Sequence, residues 1–185
     1  MNLIKRKSEG HLLLWEDDIL VPAHAFERLF GVLEESSEHV AVTGVQYRRN
    51  YRNPHQLLLW KFFPWRKLIG SHPDQIEHVK IVNYLNTEER SEGVSIVDAA
   101  ATGFVLFRDS FLRNYTFREA VFFDGFCAGH DIMVGFDINN LDQGFVPARN
   151  KMILCWDLKF PHLGTDDRGG LKVFRSDLCP TLENL

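Results

Sequence analysis

The chain has 185 residues and a mass of 21.4 kDa, which is the size of one ordinary domain. A hydrophobic fraction of 45% and a charged fraction of 25% place it among globular proteins and exclude a disordered or fibrous one. The net charge of −4 argues against a protein whose whole surface binds nucleic acid.

The cysteines and the N-terminus indicate a compartment. Three widely spaced cysteines predict neither a disulfide framework nor a zinc knuckle. Residues 1–10 are too charged for a signal peptide, and no apolar run is long enough to span a membrane. We therefore expect a cytoplasmic protein, with residues 1–10 as a tail or a helix remnant before a single domain that covers 1–185.

The first half of the chain begins with a short apolar run. Residues 11–15 predict a buried strand, which ends at the acidic triplet of Glu16, Asp17 and Asp18. Pro22 and the apolar residues that follow it at helical spacing predict a helix over 22–35. Valines alternate over 39–45 and predict a second strand.

A basic aromatic segment follows, with no acidic residue between Tyr47 and Pro73. One interpretation is a loop or a short amphipathic helix whose residues 48–67 contact anionic lipid headgroups or a polyanionic substrate. The other is a solvated basic face whose aromatic side chains pack inward. Stacking on nucleic acid has less support, because no nucleic-acid-binding motif accompanies the segment.

The second half of the chain predicts further alternating elements. Strands are expected over 80–84, 94–97, 103–107, 145–147 and 152–156, a short helix from Asp109, and a helix over 131–141. The small residues before Gly103 leave the backbone open to close approach. Residues 164–185 are expected to form a polar, mobile C-terminal segment.

The acidic triplet is the first candidate site. Two carboxylates separated by one residue, Glu16 and Asp18, point to the same side of an extended chain. Mg²⁺ and Mn²⁺ accept such oxygen ligands. Alternatively, the acids complement the dipole of the helix that follows.

The sequence lacks the P-loop, Rossmann, zincin and α/β-hydrolase signatures.

Four segments, in order, resemble family 2 glycosyltransferases with the type A nucleotide-sugar fold. HLLLWEDDILVPAHAFERLF resembles the strand that ends in the D-x-D motif, and VDAAATGFVLFRDSF is similar to the strand with a Thr-Gly or Gly-Gly step. FFDGFCAGHDIMVGFDINNLDQGF resembles the block that carries the acidic pair, and PHLG resembles the closing His motif. Together they span residues 11–163, and the resemblance begins at the D-x-D strand.

The resemblance implies a role for each matching residue. Glu16 and Asp18 would hold a divalent cation, Mn²⁺ or Mg²⁺, with His162 as third ligand or diphosphate contact. Asp131 would be the general base. The remaining matches would contact substrate: Asp17 beside the ribose or the sugar, Thr102 and Gly103 along the pocket, and His130 beside the base.

Each role has a structural alternative. Asp131 could cap the helix that begins beside it, His162 could be an ordinary satisfied histidine, and Thr102–Gly103 could be a packing or turn feature. Two residues also depart from the family pattern, because His130 replaces an acid and Glu16 replaces an aspartate. Cys127 and Cys155 are expected to be buried apolar fillers.

We therefore expect an α/β fold with a mixed central sheet flanked by helices, a partial type A fold without the N-terminal nucleotide-binding βαβ units. The implied activity is inverting, metal-dependent transfer of a sugar from a nucleotide diphosphate sugar to a glycan or lipid-linked acceptor, at the inner face of a membrane if segment 48–67 contacts lipid. The alternative is a non-catalytic module that binds sugar or a partner chain, and a third hypothesis is a metal-dependent hydrolase. An open sheet edge would favour a dimer or a partner chain.

Overall fold

The computed structural model describes residues 10–47, 57–64, 75–76, 79–83, 92–122, 127–139, 149–165 and 170–174. Within them, the main sheet has five strands in the spatial order β1 (Leu12–Trp15), β8 (Phe104–Phe107), β2 (His39–Gln46), β11 (Lys151–Phe160) and β6 (Val94–Val97). β2 and β11 are parallel, and the other neighbours are antiparallel. The protein therefore has the mixed central sheet that the sequence predicts.

Smaller sheets surround this one. β3 (Leu59–Pro64) lies between β5 (Val79–Asn83) and β7 (Ala99–Ala100). β9 (Ala120–Phe122) lies between β4 (Gln75–Ile76) and β10 (Cys127–Ala128). β12 (His162–Thr165) pairs with β13 (Leu171–Phe174).

Helices cover both faces of the main sheet. α1 (Ala25–Glu34) buries Leu29 and Leu33 in one cluster with Val42 and Leu106 of the sheet. α2 (Asp109–Leu112) is a single turn after β8. The third helix, α3 (His130–Ile138), contributes Val134 and Ile138 to the cluster on the opposite face. No helix in the described ranges has the length and apolar character needed to cross a membrane.

The first helix begins three residues later than predicted. Ala25 donates its N–H to the carbonyl of Pro22 at 3.0 Å, so the proline opens a turn before the helix and does not occupy its first position. The apolar spacing in the sequence also does not show which apolar side chains of this helix are buried. Leu29 is fully buried, whereas Phe26 and Phe30 are 47% and 43% exposed.

Part of the basic aromatic segment is a β-strand, which corrects the expected loop or amphipathic helix. Lys61 of β3 is exposed, while Phe62 is buried and lies edge-on to Phe136 with ring centroids 5.8 Å apart. The alternation of a strand thus directs one aromatic side chain inward and the basic side chain outward. Residues 48–56 and 65–73 lie outside the described residues.

Three late segments differ from the sequence expectations. The strand predicted over 152–156 extends to Phe160, with a register shift against β2 between Cys155 and Lys159. The polar segment after Gly164 contains the end of β12 and all of β13. Cys155 is buried as expected, but Cys127 is exposed. The strand expected at 145–147 falls on residues that are not described.

A close backbone contact attaches α3 to β7. A Cβ atom at Gly135 would lie 2.6 Å from the Ala99 Cα atom and would also collide with the Asp98 carbonyl oxygen. At the end of the helix, Asn139 Nδ2 donates to the same Asp98 carbonyl at 2.9 Å. Glycine is therefore required for this contact, which brings the helix directly onto the strand backbone.

Candidate functional site

Three strands of the main sheet end at the same edge of the sheet. β1 and β2 are each antiparallel to β8, and β11 is parallel to β2, so β1, β2 and β11 run in one direction. The acidic triplet follows β1, Gln46 ends β2, and His162 comes two residues after the end of β11. The carboxyl ends of such strands are where open α/β sheets bind ligands.

Backbone hydrogen bonds bring four of the predicted site residues together. Glu16 N–H donates to the Gly103 carbonyl at 2.7 Å. On the other side of the triplet, Leu163 N–H donates to the Asp18 carbonyl at 2.7 Å, and Ile19 forms an antiparallel bridge with His162. We call this region the acidic end of the sheet, made of Glu16–Asp18, Gln46, Thr102–Gly103 and His162.

Gly103 leaves a small space that side-chain oxygens occupy. A Cβ atom at this position would lie 2.7 Å from Gln46 Oε1 and 2.9 Å from Glu16 Oε2, and would collide with the Ile19 Cδ1 atom. A carboxylate oxygen and an amide oxygen therefore converge above the same glycine. Glycine is therefore required at position 103, because a side chain there would overlap both oxygens.

Gln46 is a site residue that the sequence analysis did not identify. Its side chain is 2% exposed, and Nε2 donates to the Ala101 carbonyl at 2.9 Å and to Thr43 Oγ1 at 3.2 Å. Thr43 Oγ1 in turn donates to the Phe104 carbonyl at 2.7 Å. Because both amide hydrogens are used, Oε1 is fixed as an acceptor that faces Gly103. The only sequence signal was a polar residue at the end of an apolar strand.

Burial differs among the predicted ligands. Glu16 and Asp17 are exposed and Asp18 is half-buried. His162 and Thr102 are each 4% exposed. The Asp18 Oδ1 and His162 Nδ1 atoms are both shielded from solvent. Within the described ranges, no group of three or more His, Cys, Asp or Glu side chains is assembled that could hold a metal ion.

His130 and Asp131 lie on a different element from the acidic end. Both are in the first turn of α3, where Asp131 Oδ1 accepts the Ile132 N–H at 2.8 Å. The helix cap is Gly129, which has no side-chain bond, so Asp131 satisfies a first-turn amide without being the cap itself. α3 packs on β7, which ends three residues before Gly103.

Two other groups with a raised pKa belong to the core. Burial and the neighbouring Asp137 raise the pKa of Tyr115, whose hydroxyl donates to Asp137 at 3.1 Å. Burial also raises the pKa of the Cys155 thiol to about 12. These groups form part of the packed interior and carry no reactive character.

Comparison with known proteins finds no family and one solved structure with low sequence identity. No protein-family model matches the chain, and no curated protein matches it. Among solved structures, the crystal structure of A197 from STIV aligns at 15% sequence identity with a TM-score of 0.47. The alignment covers 92% of this chain and 69% of that chain.

Proposed function

We propose that the acidic end binds the diphosphate of a nucleotide sugar through a divalent cation, and that the protein transfers the sugar with inversion to a glycan or lipid-linked acceptor. One observation carries the proposal. The backbone bonds of Asp18 and Ile19 to the strand after β11 hold Asp18 beside His162, at the carboxyl ends of three strands.

The described side chains are not assembled around a common metal position, but the residue types at the acidic end are ones that such a cation accepts. Mn²⁺ accepts carboxylate, amide and imidazole ligands, and Mg²⁺ prefers the oxygens. Glu16 and Asp18 would supply carboxylates, His162 an imidazole nitrogen, and Gln46 a neutral amide oxygen from the space above Gly103. The bound ion would neutralise the charge that develops on the leaving diphosphate.

The proposed reaction is a single displacement. A hydroxyl oxygen of the acceptor bonds to the anomeric carbon while the bond from that carbon to the diphosphate oxygen breaks, and the hydroxyl proton passes to a carboxylate. Asp131 is the proposed proton acceptor because the resemblance aligns it with the family's base. Its half-buried position in the first turn of α3 leaves it reachable by a ligand.

The first experiment is a thermal-shift screen with UDP, GDP, dTDP and CMP, each with and without Mn²⁺. We expect one nucleotide to raise the melting temperature by several degrees only when Mn²⁺ is present. Asp18→Asn should abolish this shift, while the matched control Glu27→Gln, an exposed carboxylate on α1, should keep it. The proposal would be overturned if none of the four nucleotides raised the melting temperature of the wild-type protein.

A second measurement separates binding from transfer. Asp131→Asn should keep the Mn²⁺-dependent shift and lose release of the nucleoside diphosphate from the matching nucleotide sugar. Release by the wild type without an acceptor would instead indicate the hydrolase hypothesis. Circular dichroism of each variant checks that the fold is retained, because equal loss of fold in both would mean that the two aspartates are structural.

A non-catalytic module that binds sugar or a partner chain is the second candidate. The open side of β1 favours it, since the main sheet ends there among the described strands. Sugar binding that does not depend on Mn²⁺, together with no release of nucleotide, would make this candidate the better one.

A further inference from the structure

We infer that the exposed indole ring of Trp15 stacks on the nucleobase of the nucleotide whose diphosphate the acidic end would bind, an inference that rests on the proposed function. Trp15 is the last residue of β1 and immediately precedes the acidic triplet. It is 62% exposed. Because a tryptophan ring contributes a large apolar contact area when it is covered, an exposed one beside a candidate site is a candidate ligand contact.

The core of the protein holds this ring in place. The indole N–H donates to the Ile19 carbonyl at 3.1 Å. The ring also lies perpendicular to that of Phe104, at an interplanar angle of 89° and with centroids 5.7 Å apart. Phe104 is itself 1% exposed and packs against Phe160 with centroids 5.0 Å apart. The ring is therefore positioned before a ligand arrives, and a planar group that covers it pays little for ordering the side chain.

The same contacts connect the ring to the acidic end. Ile19, which accepts the indole N–H, forms an antiparallel bridge with His162. The Ile19 side chain reaches the space above Gly103, where a Cβ atom would collide with its Cδ1 atom and would meet Gln46 Oε1. A single residue thus contacts both the ring and the acidic end. One molecule that carries a ring and a diphosphate on a short linker can reach both.

The chemistry of the ring favours a nucleobase as its partner. Every base has a π-face that stacks on aromatic side chains. The one polar group of the Trp15 indole is its N–H, which already donates to the Ile19 carbonyl, so the ring offers its face and no donor for the hydroxyl groups of a sugar. The uncharged base would lie on the apolar ring, while the charged diphosphate would lie with its cation among the carboxylates. The ring should stabilise any of the bases and should not by itself select one.

Calorimetric titration with UDP, GDP, dTDP and inorganic pyrophosphate, each with Mn²⁺, tests the inference. Trp15→Leu should raise the dissociation constants of the nucleoside diphosphates that bind by about tenfold or more. It should change that of pyrophosphate, which has no base, by less than about twofold. Leucine already occupies the other three positions of β1, so the strand should still form. Phe26→Leu is the matched control, since Phe26 is 47% exposed on α1 outside the acidic end, and it should change neither affinity.

Trp15→Phe provides a second measurement that keeps an aromatic ring against Phe104. This variant should keep most of the affinity for the nucleoside diphosphates. Stacking on a base quenches indole fluorescence, so the wild-type fluorescence should fall on nucleotide binding and Trp15→Phe should remove most of that change. Pyrophosphate should leave the fluorescence almost unchanged. Trp15 is one of four tryptophans in the chain, so a fall in fluorescence that persists in Trp15→Phe would overturn the inference.

The remaining outcomes separate this inference from the proposed function. Mn²⁺-dependent nucleotide binding that Trp15→Leu leaves unchanged would overturn the inference alone. Equal weakening of nucleotide and pyrophosphate would also overturn it, because the ring would then only shape the acidic end. Weakening of the matching nucleotide sugar without the nucleoside diphosphate would place the sugar on the ring instead of the base. Absence of Mn²⁺-dependent binding for all of these ligands would overturn both proposals.

Discussion

The two ends of the main sheet use charged side chains in opposite ways. At the end opposite the acidic end, the Arg108 guanidinium donates to the carbonyls of Leu33, Ser36 and His39 and pairs with Glu34 at 3.1 Å. One cation there ties the end of α1 to the start of β2 and the end of β8. At the acidic end, a carboxylate oxygen and an amide oxygen converge on a glycine.

This difference separates a structural arrangement from a candidate binding arrangement. Carbonyl oxygens that surround a guanidinium are satisfied by the fold itself and leave no capacity for a ligand. Oxygens gathered at strand ends, one of them the fixed amide acceptor of Gln46, present acceptor atoms that a cation or a hydroxyl can use. Substitutions at the first end should therefore change stability, and substitutions at the second should change binding.

The largest expected effect is that of Arg108→Met. Loss of the guanidinium leaves three partly enclosed carbonyls without their donor, and we expect the free energy of unfolding to fall by about 3 kcal/mol. Urea denaturation measures this change. Arg113→Met is the control and should leave the free energy of unfolding almost unchanged, because the Arg113 side chain is 73% exposed in its pair with Asp109.

The Arg108 variant also tests whether the two ends of the main sheet have separate roles. Below its melting temperature, the folded variant should keep the Mn²⁺-dependent nucleotide shift. Loss of the shift from a protein with a native circular dichroism spectrum would show that the two ends are coupled and not separate in role.

Gly103→Ala should have an intermediate effect that combines both kinds of change. The added methyl would collide with the buried Ile19 Cδ1 atom and would meet Gln46 Oε1 at 2.7 Å and Glu16 Oε2 at 2.9 Å. We therefore expect a loss of about 2 kcal/mol in the free energy of unfolding, together with weaker Mn²⁺-dependent binding. Gly31→Ala is the opposite control, since nothing lies within 4 Å of its Cβ position. In α1 that substitution should stabilise the protein by about 0.5 to 1 kcal/mol. Normal binding by Gly103→Ala would argue against a ligand above this glycine.

The smallest expected effect concerns a surface ion pair that belongs to neither end. Arg28 of α1 donates to Asp157 at 2.8 Å. Burial alone would raise the pKa of Asp157, but the hydrogen bond and the charge of Arg28 outweigh it, and the pKa is lowered below its usual 3.8. The pair therefore stabilises the fold above about pH 4, and the contribution is lost as the pH falls through the lowered value.

Asp157→Asn measures that contribution. Because both side chains are one-third exposed, the variant should be less stable than the wild type by no more than about 0.5 kcal/mol at pH 7. The difference should vanish in strong acid. Glu27→Gln supplies an exposed carboxylate for comparison, and a loss above about 1 kcal/mol at Asp157 would mean that exposure is a poor guide to the value of this pair.

Local patterns predicted the elements of the main sheet better than its surroundings. The leucine run of β1 and the alternating valines of β2 gave strands close to their observed bounds, because buried strands are dense in apolar residues. The exposure of Phe26 and Phe30 could not be predicted from their helical spacing. Which side of a broad apolar stripe meets the sheet depends on the packing of α1 against the strands.

Only the part of the candidate site that has a local sequence pattern could be predicted. The acidic triplet stands out because three consecutive carboxyl groups follow an apolar run, and the Thr-Gly step marks a close approach. Gln46 carries no such signal, since its role arises only when β2 and β8 lie side by side and the Ala101 carbonyl fixes its amide. A hydrogen-bond network between strands distant in sequence is not visible in a local pattern.

The contact between Gly135 and Ala99 acts as a spacer in the molecule. The helix that carries Asp131 touches the strand backbone directly, and only three residues lie between Ala99 and Gly103 in the sequence. The separation between the proposed base and the acidic end is therefore set by two polypeptide backbones in contact, and no flexible side chain lies between them at that point. An alanine at Gly135 would add one methyl group between the two backbones. It would move the proposed base relative to the acidic end, although no residue of the proposed site would be changed.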